Sequence, residues 1–146
     1  MVLPPSRSKD ADDWSGFSES LRELFSRIAA EGIRNVVFLC GDMHLAMTTR
    51  IAISGGKLGA SRCLCVVGSP MYGPMPFANA RPADVHCRGT IALSGGARLD
   101  FERDPGSIVS GDSVSILGAS CESGKWQVTV DVHQHEGTIH GVYDLD

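Results

Sequence analysis

The run "RNVVFLCGDMH", from Arg34 to His44, constrains the fold of this chain more than any other stretch. Val36 to Cys40 is a continuous apolar segment of strand length, β-branched and aromatic at its start and broken by Gly41. That pattern is the one carried by strands buried on both faces of a parallel sheet. We therefore read it as a buried central strand. The residues just past the carboxyl end of such a strand lie at the rim of the sheet, where open α/β folds place their ligands. Asp42 and His44 occupy that rim.

A strand buried on both faces needs a covering layer, and the segment before it supplies one. From Ser15 to Glu31 the residues Phe17, Leu21, Leu24, Phe25 and Ile28 fall on one helical stripe. Asp13 or Ser15 can cap its start, Gly32 suits the left-handed position that ends it, and Ile33 can pack back on the last turn. Residues 1–13, with Pro4-Pro5 and mixed charges, read as an extended lead-in to a single domain over 14–146.

Beyond "GDMH" the pattern changes to short strands separated by glycine turns. "TTRIAIS" and "ASRCLCVV" flank "GGKLG", "HCRGTIAL" and "ARLDFER" flank "SGG", and "KWQVTVDVHQ" and "TIHGVYDL" flank "HEG". These are three hairpin signals, so most of the chain is antiparallel. The stretch from Gly68 to Asp84, rich in proline, interrupts them, and loops of that length are often functional. One helix and one buried strand followed only by hairpins gives a mixed α/β chain, α+β if it is a fragment. It looks like the back half of something larger.

Composition excludes several functions. The formal charge of −4 and the absence of any Lys/Arg cluster give no footprint for nucleic acid. The start lacks the basic and apolar regions of a signal peptide, and no stretch approaches a membrane span. Five cysteines without regular spacing make a poor disulfide framework; Cys63 and Cys65 are read as pointing to opposite faces of a strand. Free thiols point to a reducing, cytoplasmic compartment.

Taken together, "DDWSGF" ahead of the helix, "NVVFLCGDMHLA", "VVGSPMYGPMPFAN" and the closing hairpin of "WQVTV" and "GVYDL" resemble the carboxyl-terminal part of the PhoD-like (alkaline phosphatase D type) metallophosphoesterases, in the calcineurin-like superfamily. The resemblance implies part of a four-layer α/β/β/α sandwich. It implies a metal-dependent phosphomonoesterase or phosphodiesterase in which a metal-bound hydroxide attacks phosphorus. It carries a metal-ligand role onto Asp42 and His44, in a dinuclear centre of Zn, Fe, Mn or Ca, and a phosphate ester as substrate. Members of the family are often exported.

The family's earlier Asp-x-His, Gly-Asp and Gly-Asn-His segments do not occur in order in this sequence. A catalytically silent fragment, or a small β-rich binding module using the 68–84 loop, is the alternative. In either case the lone parallel unit predicts self-association through an unpaired strand edge, or pairing with a missing amino-terminal half. Trp14, Tyr72 and Asn79 are candidate substrate contacts, Tyr72 because its hydroxyl can hydrogen-bond a phosphate oxygen. Trp14 serves equally as a core residue. Asp131, His133 and His135 share the outer face of a strand and read as a solvated polar surface, and His86 and His140 as isolated residues.

Overall fold

The computed structural model describes residues 14, 16–41, 43–55, 59–69, 71 and 81–146. Helix α1 spans Ser18–Glu31 and is followed by nine strands: β1 Val36–Cys40, β2 Leu45–Ser54, β3 Ala60–Val67, β4 Arg88–Ala92, β5 Arg98–Arg103, β6 Val109–Ser110, β7 Val114–Glu122, β8 Lys125–Gln134 and β9 Gly137–Asp144. They form a mixed α/β fold with one α-helix among the described residues. A six-stranded sheet runs β1-β3-β2-β5-β4, with β6 joined to the start of β2, and a three-stranded sheet runs β7-β8-β9.

Helix α1 lays Leu21, Phe25, Ile28 and Ala29 on one face of the larger sheet, against Leu45, Met47, Ile51, Ile53, Cys63, Cys65 and Val67. Phe25 meets Phe38 of β1 edge to face, with ring centroids 5.4 Å apart. The helix ends as its sequence predicts. Gly32 adopts φ 75°, which costs glycine nothing, and the Ile33 N–H returns to the Ile28 carbonyl at 3.1 Å. Its start differs from the expectation. Phe17 is the N-cap residue, makes no side-chain cap and is 62% exposed, because it precedes the first helical turn and leaves the stripe. Ile33 is also exposed. The caps proposed at Asp13 and Ser15, and the lead-in over 1–13, lie outside the described residues.

The opposite face of the larger sheet carries Ala46, Leu64 and Val66, and these pack with Val109, Val128, Val130, Val132, Tyr143 and Leu145 in a second core. The layers are therefore helix, sheet and sheet. Burial along the central hairpin shows where the second sheet stops. The first half of β2 and the second half of β3 are buried without interruption, and their other halves alternate buried and exposed.

Three of the hairpins stand where the glycine turns put them: β2 with β3, β4 with β5, and β8 with β9. The pair β7 and β8 went unread. Its two-residue turn is Ser123-Gly124, both at positive φ (52° and 80°), the mirror-image turn that matches strand twist.

Two sequence readings are corrected here. Val36–Cys40 is a strand with the expected bounds, but among the described residues it stands at the edge of the sheet and not at its centre: it pairs with β3, parallel to it, and Leu39 is 70% exposed. An apolar run states that a strand is covered on its faces and says nothing about how many neighbours it has. Cys63 and Cys65 share a face, as strand positions two apart must, and both lie in the first core. Burial pushes the Cys63 thiol up to about 11, so it stays protonated at neutral pH.

Phe25 is fully buried at the centre of the helix-to-sheet contact. Phe25→Ala is expected to destabilise the fold by about 3–5 kcal/mol, read as a lowered denaturant midpoint at unchanged slope. A loss below about 1 kcal/mol would mean that the helix is not seated on the sheet this way.

Candidate functional site at the rim of the larger sheet

The carboxyl ends of the parallel strands β1 and β3 meet the amino end of β2 at one rim. The Gly68 N–H donates to the Cys40 carbonyl at 2.9 Å, tying the end of β3 to the end of β1. Leu45 and Ala46 pair with Ser110 and Val109 of β6, so β6 arrives at the same rim. There Ser69 donates through its hydroxyl to the Gly111 carbonyl at 2.7 Å. His44 sits in this junction, half-buried, in the connection from β1 to β2.

The backbone at His44 is left-handed, φ 54°. The backbone at His44 is therefore not that of an extended strand. A non-glycine residue at positive φ is uncommon and is frequently found where the fold fixes a functional side chain. Met43 packs against the first core. Asp42, Tyr72 and Asn79 lie outside the described residues, as does most of the proline-rich loop. The end of that loop is pinned: Val85 is fully buried, and the buried guanidinium of Arg103 donates to the Pro82 carbonyl at 2.8 Å and to Cys87 Sγ at 3.1 Å.

Trp14 is half-buried and packs against the first core, and the Phe17 N–H donates to its carbonyl at 3.2 Å. The structure thus places it at the start of α1, in the core-packing position. Among the described residues no three His, Cys, Asp or Glu side chains are grouped closely enough to hold a metal ion. His44 is the described half of the candidate pair. As a donor set, one imidazole and one carboxylate suit Zn, Fe or Mn, with the remaining positions left to other groups.

The other histidines are engaged across strands. His140 Nδ1 lies 2.5 Å from Asp131 Oδ1, and Thr138 Oγ1 2.9 Å from His133 Nδ1, all on the outer face of the three-stranded sheet. Asp131 and His133 thus have β9 partners rather than each other.

Two features of the other end of the larger sheet were not legible as sites. A groove of about 820 Å³ opens where the second sheet stops, and Arg50, Arg62 and Arg88 line it beside Asp100, Glu102 and Tyr143. The fold gathers these arginines from three strands, but the acids interleave with them, and Asp100 is engaged by Arg98 at 2.9 Å and Thr90 at 2.6 Å. The second feature is a polar node between the sheets. Tyr143 donates to Asp104 Oδ2 at 3.1 Å, Asp104 N–H to the Thr48 carbonyl at 2.9 Å, and Thr48 N–H to Ser107 Oγ at 2.8 Å. Gly141 makes room for the phenol: a Cβ there would stand 2.6 Å from Tyr143 Oη.

No protein-family profile, curated protein or solved structure matches the chain.

Burial, and then the neighbouring Asp104 carboxylate, raise the Tyr143 phenol above 10.0. A group raised in the folded state binds its proton more tightly there than in the unfolded chain. Folding stability is therefore intact below pH 10 and declines as pH rises through the folded value. Tyr143→Phe is expected to cost about 1 kcal/mol at neutral pH and to flatten that alkaline decline, read by chemical denaturation across pH. An unchanged pH profile would remove the phenol from the buried node.

Proposed function

We propose that this chain carries the carboxyl-terminal part of the metal site of a PhoD-like phosphoric ester hydrolase, with Asp42 and His44 as ligands. The observation that carries the reading is the position of His44, held in a left-handed turn at the rim where two parallel strands end. The helix, sheet and sheet layers are consistent with three of the four layers of an α/β/β/α sandwich. The fourth would lie over the outer face of the β7-β8-β9 sheet, where Val114, Ile116 and Val142 are exposed.

A divalent metal at such a rim polarises a phosphoryl oxygen and supplies a nucleophile from water at neutral pH. The chain's own part is to hold the metal. His44 offers a ring nitrogen, and the Cys40 to Gly68 and Ser69 to Gly111 hydrogen bonds fix the strands on either side of it. A preorganised rim of this kind favours binding, because little ordering remains to be done when the ligand arrives. The sequence contains no Gly-Asn-His segment, so the proposal assigns this chain two ligands and not a complete centre.

Titration with Co²⁺, followed by amide NMR, tests the assignment without relying on activity. Resonances of Gly41, Leu45 and Gly68 are expected to broaden first, and both His44→Ala and Asp42→Ala to abolish the effect. Broadening centred instead on Asp131 and His140, or unchanged in His44→Ala, would refute it.

A further inference from the structure

The face of the larger sheet that turns away from α1 is apolar where the second sheet packs on it and charged where the groove opens. Strand pairing fixes which side chains meet there, because residues directly opposite in a sheet point to the same face. Arg50 stands opposite Glu102, and Glu102 opposite Arg88. Two residues along each strand, Arg62 stands opposite Ala52, Ala52 opposite Asp100, and Asp100 opposite Thr90. Arg98 follows on the same face of β5. Arg50, Arg62, Arg88 and Arg98 are thus set against Asp100 and Glu102, a local excess of positive charge in a chain of net charge −4.

Most of the acid here is already engaged. Asp100 Oδ2 lies 2.9 Å from Nε and from a terminal nitrogen of Arg98, and Thr90 donates to Oδ1 at 2.6 Å. At the wall of the groove Asp144 accepts from the Gln127 amide at 3.1 Å. The arginines are not engaged in the same way. Among the described residues the guanidinium groups of Arg62 and Arg88 make no ion pair or hydrogen bond, and Arg50 approaches a carboxylate only at 3.9 Å, from Asp104.

Arg50 and Arg62 are diagonal neighbours on β2 and β3, a spacing of about 7–8 Å that long side chains bridge. Between them stands Ala52, exposed, whose methyl group leaves the space above it open. An anion seated there meets a guanidinium from each side, and the planar fork of arginine matches phosphoryl oxygens two at a time. Leu64, Tyr143 and Leu145 line the groove beside Arg50. Its volume of about 820 Å³ is that of a site for an organic ligand, several times what an inorganic anion fills.

We propose that this groove binds a small organic phosphoryl dianion, its charged head held over Ala52 by Arg50 and Arg62 and its apolar body lying against Leu64, Tyr143 and Leu145. Glu102, beside the head, opposes the bound charge and moderates affinity. The inference rests on the groove and not on the metal reading.

Amide NMR of the full chain, titrated with phenylphosphonate in the presence of a chelator, tests it. The probe carries the charged head and the apolar body and has no ester bond to hydrolyse. Amides of Ala52, Arg62 and Leu145 are expected to shift saturably, while those of Gly41 and Gly68 at the rim stay in place. Arg62→Gln should weaken binding roughly tenfold, the loss of one charge-assisted hydrogen bond. Glu102→Gln should strengthen it several-fold by removing the opposing carboxylate, an outcome that mere disturbance of the fold would not produce. Both positions are exposed, and far-UV circular dichroism checks that each variant is folded. No saturable shift at these amides, or wild-type affinity in Arg62→Gln, overturns the proposal. Shifts centred on Gly41 and Gly68 overturn it too, since they give the anion to the rim. Inorganic phosphate binding as tightly as the probe overturns the apolar half of the ligand, and benzyl alcohol doing so overturns the charged half.

Discussion

Pairing of β2 with β3 is the interaction on which the rest of the structure depends. Where the first half of β2 runs beside the second half of β3, both strands are buried on both faces. Leu45, Met47, Cys65 and Val67 look toward the helix, while Ala46, Leu64 and Val66 look toward the second sheet. Each core therefore has this hairpin as one wall. Among the described residues, helix α1 has no other sheet to cover and β7-β8-β9 packs its apolar face on this sheet alone. Loosening this pair would release both layers together, because burial of apolar area is the dominant favourable term for each.

The same hairpin separates two kinds of surface. At the end where β2 starts and β3 finishes, apolar side chains on both faces hold the layers together and the candidate rim sits just beyond. At the other end the face toward the second sheet turns polar, with Arg50 on β2 and Arg62 on β3, and the groove opens there. The node of Tyr143, Asp104, Thr48 and Ser107 lies at the transition. It satisfies backbone groups at the point where the apolar interface gives way to solvent.

What was legible in the sequence was local. The 3.6-residue stripe of α1, the glycine that ends it, the bounds of Val36–Cys40 and the glycine turns of three hairpins all follow from short-range rules. The neighbours of a strand are not short-range. Whether Val36–Cys40 stands inside a sheet or at its edge depends on where β3 returns, and no pattern within five residues encodes that. β7 escaped for a related reason: Gly118, Ala119 and Ser120 dilute its apolar alternation, and it is exposed along most of its length. At the candidate site, the placement of His44 at a rim was readable from strand followed by Gly-Asp-x-His, whereas its left-handed backbone and the arrival of β6 beside it were not. The arginines of the groove come from Arg50, Arg62 and Arg88, three strands far apart in the chain, and only the fold assembles them.

Native-state amide hydrogen exchange at low protein concentration tests the central claim most directly, since it reads the position of each strand without perturbing it. The account predicts that paired amides of β2 and β3 exchange only through global unfolding. In β1, the amides that face β3 should be protected and the alternate ones, on the edge that pairs with no strand among the described residues, should exchange fast. Uniform, strong protection along Val36 to Cys40 in the monomer would contradict the account, because it would mean that β1 already has a neighbour on both sides.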